Sequence, residues 1–181
     1  MLKANKSCQN NPLFNLTDME MYAIIKYKSS SSYMINEELR NKGYNKLDEE
    51  IKKIIDNISS GLEKLPIFTG TVYRNIDLDA VKKYNYDGDE KLSKFIDEHR
   101  KGNIVTYPAF TSTSKSKNGY PIDSDCQANF EIISKSGRDI TYLRGIAAEE
   151  EVLYDRNKSF KILDSFWNKD KSRFIIKMEE L

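Results

Sequence analysis

Glu149-Glu150-Glu151-Val152-Leu153-Tyr154 runs three carboxylates straight into an apolar, β-branched and aromatic segment. If Val152 to Tyr154 is a strand, side chains alternate between its faces. Glu149 and Glu151 would then point one way and Glu150 the other. Two carboxylates on one face at the lip of a strand each raise the other's affinity for a proton. Such a pair suits a reaction that develops positive charge, or one needing a base beside a charge stabiliser. The plainer alternative is a solvated acidic strand end, the usual fate of a charge run. The rest of the chain has to decide between the two.

A length of 181 residues predicts one domain with a real core. The net charge of +1, with acids and bases well mixed, leaves no basic stripe and argues against nucleic acid as a partner. Cys8 and Cys126, the two cysteines, are read as free thiols. His99, the single histidine, falls near a helix end and is expected at the surface. With so few His and Cys ligands no metal site is expected. Residues 1–15 read as a flexible leader without the apolar segment of a secretory signal, and no run reaches membrane-spanning length, so no membrane partner is expected.

Thr17-Asp18-Met19-Glu20 fits a capping box and opens a helix ending near Tyr27, with Met21, Ile24, Ile25 and Lys28 on one side. A polar loop over Ser29 to Ser32 and a short helix from Asn36 to Asn41 follow. Asn45 is expected to cap a longer helix bearing Leu47, Ile51, Ile54, Ile55, Ile58 and Leu62 at helical spacing, ended by Gly61 and Pro66. Thr69 to Arg74 then alternates as a strand. Helices are predicted from Asp77 through Val81 and over Asp89 to Arg100, with Leu92, Phe95 and Ile96 inward. From Asn103 onward the chain reads mostly as strands: 104–107, 110–113, 128–133, 139–142, 152–154, 160–163 and 173–178. Helices first and strands later argue an α+β fold. Neither GxGxxG nor a P-loop is present.

Three separated features fall at strand edges: Arg74 in Val72-Tyr73-Arg74, Ser112-Thr113-Ser114 after Phe110, and Glu149 with Glu151. In this order they resemble the signature of the bacterial mono-ADP-ribosyltransferases of the arginine, STS and E-x-E class, the binary-toxin and arginine-specific toxins among them. The resemblance spans nearly the whole chain. It implies N-terminal helices packed on a core of two mostly antiparallel sheets around an NAD cleft, with residues 16–181 as a single catalytic domain. It also implies NAD as a substrate, with no metal. Cleaving the nicotinamide–ribose bond passes through an oxocarbenium-like transition state. By the resemblance Glu151 stabilises that charge, Ser112 orients Glu151, and Arg74 grips the diphosphate, a task suited to a planar guanidinium.

Glu149 implies arginine as acceptor, since in this class a glutamate two residues before the catalytic one accompanies transfer to arginine. An anionic partner can attract a guanidinium and take its proton. Tyr27 and Asn36 match a tyrosine and an asparagine that contact NAD in clostridial binary toxins. Tyr120, after STS, is expected against the nicotinamide, and Tyr142 against the protein substrate. Thr113 joins the cofactor-binding strand. Asn75 replaces the glycine that many relatives carry after the arginine, and is expected in the NAD pocket. The activity implied is that of a toxin or effector, secreted or injected and acting in the cytosol of a host or competitor cell. Its partners are a target protein with an acceptor arginine and a cognate immunity protein or translocation component. NAD glycohydrolysis, or a non-catalytic binding module on the same fold, are the alternatives.

Overall fold

The computed structural model describes residues 15–78, 89–118, 126–143, 150–170 and 172–181. The chain forms two compact units, divided between Leu65 and Pro66. The leader expected over 1–15 lies outside the described residues apart from Asn15, as does most of the helix expected between Asp77 and Val81.

The first unit is helical. Its α1 (Asp18–Lys26) begins with the capping box read from the sequence: Glu20 N–H donates to Thr17 Oγ1 at 3.3 Å, and Thr17 N–H donates to Glu20 Oε2 at 2.8 Å. The buried stripe of α1 is Glu20, Ala23, Ile24 and Tyr27 rather than Met21, Ile25 and Lys28. Glu20 occupies that face because its carboxylate is neutralised there. Ser60 Oγ donates to it at 2.6 Å and Lys64 Nζ at 2.8 Å. The polar loop expected at 29–32 is instead a π-helical turn (Tyr27–Ser31) with a kink at Ser29, where ψ is −163°, leading directly into α2 (Ser32–Lys42). Asn36 therefore sits inside α2, not at its start. A 3₁₀ turn (Tyr44–Lys46) precedes α3 (Glu49–Glu63), whose N-cap position is Asp48 rather than Asn45.

Gly61 does not end α3. It lies inside the helix, where a Cβ would come within 2.8 Å of Ile24 Cδ1 and 3.2 Å of Glu20 Cβ. The glycine is there for close approach of α1 and α3, and packing outweighs its poor helix propensity. Ile55, Ile58 and Leu62 fill the contact.

The second unit holds α4 (Asp89–Glu98) and eight strands: β1 (Gly70–Ile76), β2 (Ile104–Tyr107), β3 (Thr111–Ser114), β4 (Ala128–Ser134), β5 (Arg138–Asp139), β6 (Glu151–Tyr154), β7 (Lys158–Asn168) and β8 (Arg173–Glu180). They follow the order β2-β7-β8-β4-β1-β3-β6-β5. All pairs are antiparallel except β4 with β8. The family resemblance implies two sheets, yet the order is continuous. The link is narrow: β1 meets β3 at the single register pair Tyr73↔Ser114, whereas β1 and β4 pair over their full length. Two sets of strands are thus joined at one point, close to Arg74 and Ser112. The strand expected over 139–142 shrinks to β5, because the chain turns at Thr141–Leu143.

The core of this unit gathers Val72, Phe95, Phe130, Ile132, Val152, Tyr154, Phe160, Ile162, Ile176 and Met178. His99 joins it rather than the surface. It is 2% exposed and its ring lies 4.2 Å from that of Phe95. Its Nδ1 faces the Phe95 carbonyl at 2.7 Å and its Nε2 the Tyr107 hydroxyl at 2.8 Å. A carbonyl can only accept, so Nδ1 carries a proton, and both ring nitrogens have a partner. Leu92, Phe95 and His99 share one helical stripe, which continues the apolar face of α4 through the histidine. Cys126 is buried; Cys8 lies outside the described residues. Among the described residues no helix is long and apolar enough to cross a membrane.

Candidate active site

Arg74 lies on β1 beside the narrow junction with β3. Its NH1 donates to the Ser112 carbonyl at 2.6 Å, which ties the guanidinium to β3. A guanidinium has five N–H donors, so this bond leaves capacity for an anionic ligand. The register of β3 with β6 places Ser114 opposite Glu151 and Ser112 opposite Leu153. Ser112 Oγ reaches across and donates to Glu151 Oε1 at 2.6 Å. Glu151 is 4% exposed and opens β6. Gly137 lies against this strand, where a Cβ would stand 2.7 Å from Val152 Cγ1. Thr113, fully buried, donates its hydroxyl to the Val152 carbonyl at 2.7 Å, and Ser114 Oγ accepts from Ser116 N–H at 3.0 Å. Of the three STS hydroxyls, one holds the glutamate and two tie the backbone around it.

The strand pleat assumed for the acidic triplet does not extend back to Glu150. Glu150 has φ of 44°, a left-handed conformation that breaks the strand pleat, and β6 begins only at Glu151. Glu150 is exposed. Its carbonyl accepts from Lys115 N–H at 3.1 Å, while the Glu151 carbonyl accepts from Ile140 N–H at 3.0 Å. Glu149 and Tyr120 lie outside the described residues. Tyr142 is exposed, with Lys115 Nζ 6.0 Å from its ring centroid. Lys115 also pairs with Asp139 Oδ2 at 3.0 Å. Burial opposes ionisation of Asp139, but hydrogen bonds from Thr141 and the Lys115 ammonium outweigh it and hold the carboxyl below its ordinary range.

Asn75 keeps its side chain inside the sheet. Its Nδ2 donates to the Asn118 carbonyl at 2.9 Å, and its Oδ1 accepts from Asn129 Nδ2 at 2.8 Å and from Arg173 NH1 at 3.5 Å. Asn129 is its register partner on β4. A flipped amide would set donor against donor at Asn129 and Arg173, so the orientation is fixed. Where many relatives are expected to carry glycine, this chain has a buried amide that braces β1 against the segment after STS.

Tyr27 and Asn36 belong to the helical unit. They bond each other, Asn36 Nδ2 donating to the Tyr27 hydroxyl at 2.8 Å. Both are buried. Asn36 Oδ1 has no hydrogen-bond partner among the described residues. A buried acceptor left unpaired costs about 1–3 kcal/mol.

The model of the ADP-ribosyltransferase exoenzymes matches residues 3–181. The chain belongs to this family. The chain is 29% identical over 164 residues to the NAD(+)–protein-arginine ADP-ribosyltransferase Tre1 of Serratia proteamaculans, covering 90% of this chain and 32% of Tre1. It is 26% identical over 170 residues to Mav of Mycobacterium avium, a protein that carries the name of NAD(+)–arginine ADP-ribosyltransferase, covering 93% of this chain and 19% of Mav. The chain thus spans about a third and a fifth of these two relatives. The C3 exoenzyme of Clostridium limosum shares the fold, with a TM-score of 0.76 at 20% identity over 93% of this chain and 88% of that one. Arg74, Ser112 and Glu151, far apart in sequence, meet at one junction of the exoenzyme sheet. Asn129, Lys115 and Asp139 also surround that junction. No motif marks them; only an asparagine at an interior strand position, as at Asn129, hints that something polar faces it.

Proposed function

We propose that the protein is an NAD-dependent mono-ADP-ribosyltransferase that modifies arginine on a target protein, as a bacterial toxin or effector. The observation that carries this reading is the Ser112–Glu151 hydrogen bond beside Arg74, in a chain of the exoenzyme family. The names of Tre1 and Mav support the arginine acceptor.

NAD enters as substrate, its diphosphate on the Arg74 guanidinium. Ser112 holds Glu151 in one orientation, so that its carboxylate meets the ribose. There it stabilises positive charge as the C1′–nitrogen bond breaks and nicotinamide leaves with the bonding electrons. The acceptor guanidinium nitrogen attacks C1′, and Glu149 takes its proton. By resemblance Tyr27, Asn36 and Tyr120 serve NAD. Thr113 and Asn75 contribute backbone and bracing, since their side chains are engaged in the sheet. Residues 16–181 act as one catalytic domain in the cytosol of a host or competitor cell. The producing cell holds a cognate immunity protein or a translocation component.

The test is labelled NAD with agmatine, comparing wild type with Glu149→Ala and Glu151→Ala. Glu151→Ala is expected to lose both transfer and nicotinamide release. Glu149→Ala is expected to lose transfer and retain hydrolysis. Equal loss of both in Glu149→Ala removes its acceptor role. Hydrolysis by wild type without transfer makes the enzyme an NAD glycohydrolase. No turnover of NAD by wild type overturns the enzyme reading.

A further inference from the structure

Lys115 directly follows the STS strand and reaches the chain on both sides of the stretch between β5 and β6. Its N–H donates to the Glu150 carbonyl at 3.1 Å, immediately before Glu151. Its Nζ binds Asp139 Oδ2 at 3.0 Å, and Asp139 Oδ1 accepts from Thr141 N–H at 3.0 Å. The same ammonium lies 6.0 Å from the Tyr142 ring centroid and 5.9 Å from that of Phe68. Lysine ammonium groups ordinarily snorkel to water. This one is turned inward, its side chain 22% exposed against 14% for Asp139, whereas the Tyr142 ring is 71% exposed. An aromatic ring that exposed gains little from burial, so its position depends on whatever holds it. Lys115 and Asp139 supply that hold, and as a neutral pair they add no net charge that would repel a cation.

We infer that Lys115, anchored by Asp139, is a positioning residue for the acceptor: it holds the Tyr142 ring as the platform on which the acceptor guanidinium stacks. Planar guanidinium groups favour aromatic faces. The inference rests on the arginine-acceptor reading.

The experiment measures agmatine KM, transfer kcat and acceptor-free NAD hydrolysis for wild type, Lys115→Met, Lys115→Arg, Tyr142→Ala and the Lys115→Met/Tyr142→Ala double variant. Lys115→Met is expected to raise the agmatine KM about fivefold, the scale of one exposed cation–aromatic contact, with NAD hydrolysis unchanged. Lys115→Arg, which retains the charge, is expected to stay near wild type. In the Tyr142→Ala background Lys115→Met is expected to add nothing, because the two residues act as one unit. The sign discriminates. If Lys115 acted only through charge, its removal would leave Asp139 anionic and lower the KM for cationic agmatine. An unchanged or lower KM, additive effects in the double variant, or hydrolysis falling in step with transfer each overturns the inference while leaving the enzyme reading intact. Absence of any transfer by wild type overturns both.

Discussion

Glu20 and Glu151 are buried to the same degree, each 4% exposed, yet their surroundings differ in kind. Glu20, in the helical unit, is saturated by Thr17 N–H, Ser60 Oγ and Lys64 Nζ. Burial opposes its charge, but Lys64, Ser60 and Thr17 outweigh burial and bring its carboxyl down to about 2. Glu151, in the sheet unit, is oriented by the hydroxyl of Ser112, which carries no charge. A carboxylate neutralised by an ammonium spends its charge on the fold. Glu151 instead takes a hydrogen bond from β3 at the edge of β6, beside the β1–β3 junction. Equal burial therefore says little about role; where in the fold the carboxylate is held says more.

The comparison can be broken most decisively at Glu151. Glu151→Gln keeps an acceptor for Ser112 but removes the charge. Nicotinamide release and transfer are expected to fall by about a thousandfold or more, with thermal unfolding little changed. A variant that unfolds instead would place Glu151 with Glu20 as a structural group. Ser112→Ala is the next step down: losing a hydrogen bond to a charged group is expected to lower kcat about ten- to a hundredfold.

Glu20→Ala inverts the pattern. It removes the capping box and leaves Lys64 without its carboxylate, for an expected loss of about 2–3 kcal/mol in denaturant unfolding, while folded enzyme keeps its turnover. The same residue predicts a pH dependence. Its folded pKa lies below the ordinary glutamate value of 4.5, so its stabilisation is complete above that pH and lost as pH falls towards about 2. Glu20→Gln should flatten that part of the stability profile, as followed by circular dichroism between those limits. The smallest effect is expected at Glu150. It is exposed, and alanine can take its place with its backbone N–H and C=O retained, so Glu150→Ala should stay within about 0.5 kcal/mol and leave turnover intact.

The family resemblance picked out Arg74, Ser112 and Glu151. Residue order alone was enough for the α+β class, the capping box at Thr17 and Glu20, and most strand positions. Those readings rest on local rules: period, cap chemistry and β-propensity act over a few residues and leave a trace in order of residues. The rest needed contacts between residues far apart in the chain. Gly61 reads as a helix end until α1 approaches it, and His99 reads as a surface residue until Phe95, Tyr107 and Phe130 close around it. Nothing in the order of residues shows that Asn129 and Asn118 take up the Asn75 amide. The acidic triplet shows both sides. Its three glutamates and the apolar run after them are plain in the sequence. The left-handed bend at Glu150 appears only in the folded chain, where Lys115, just past the end of β3, holds the Glu150 carbonyl, and glutamate itself has no preference for that backbone.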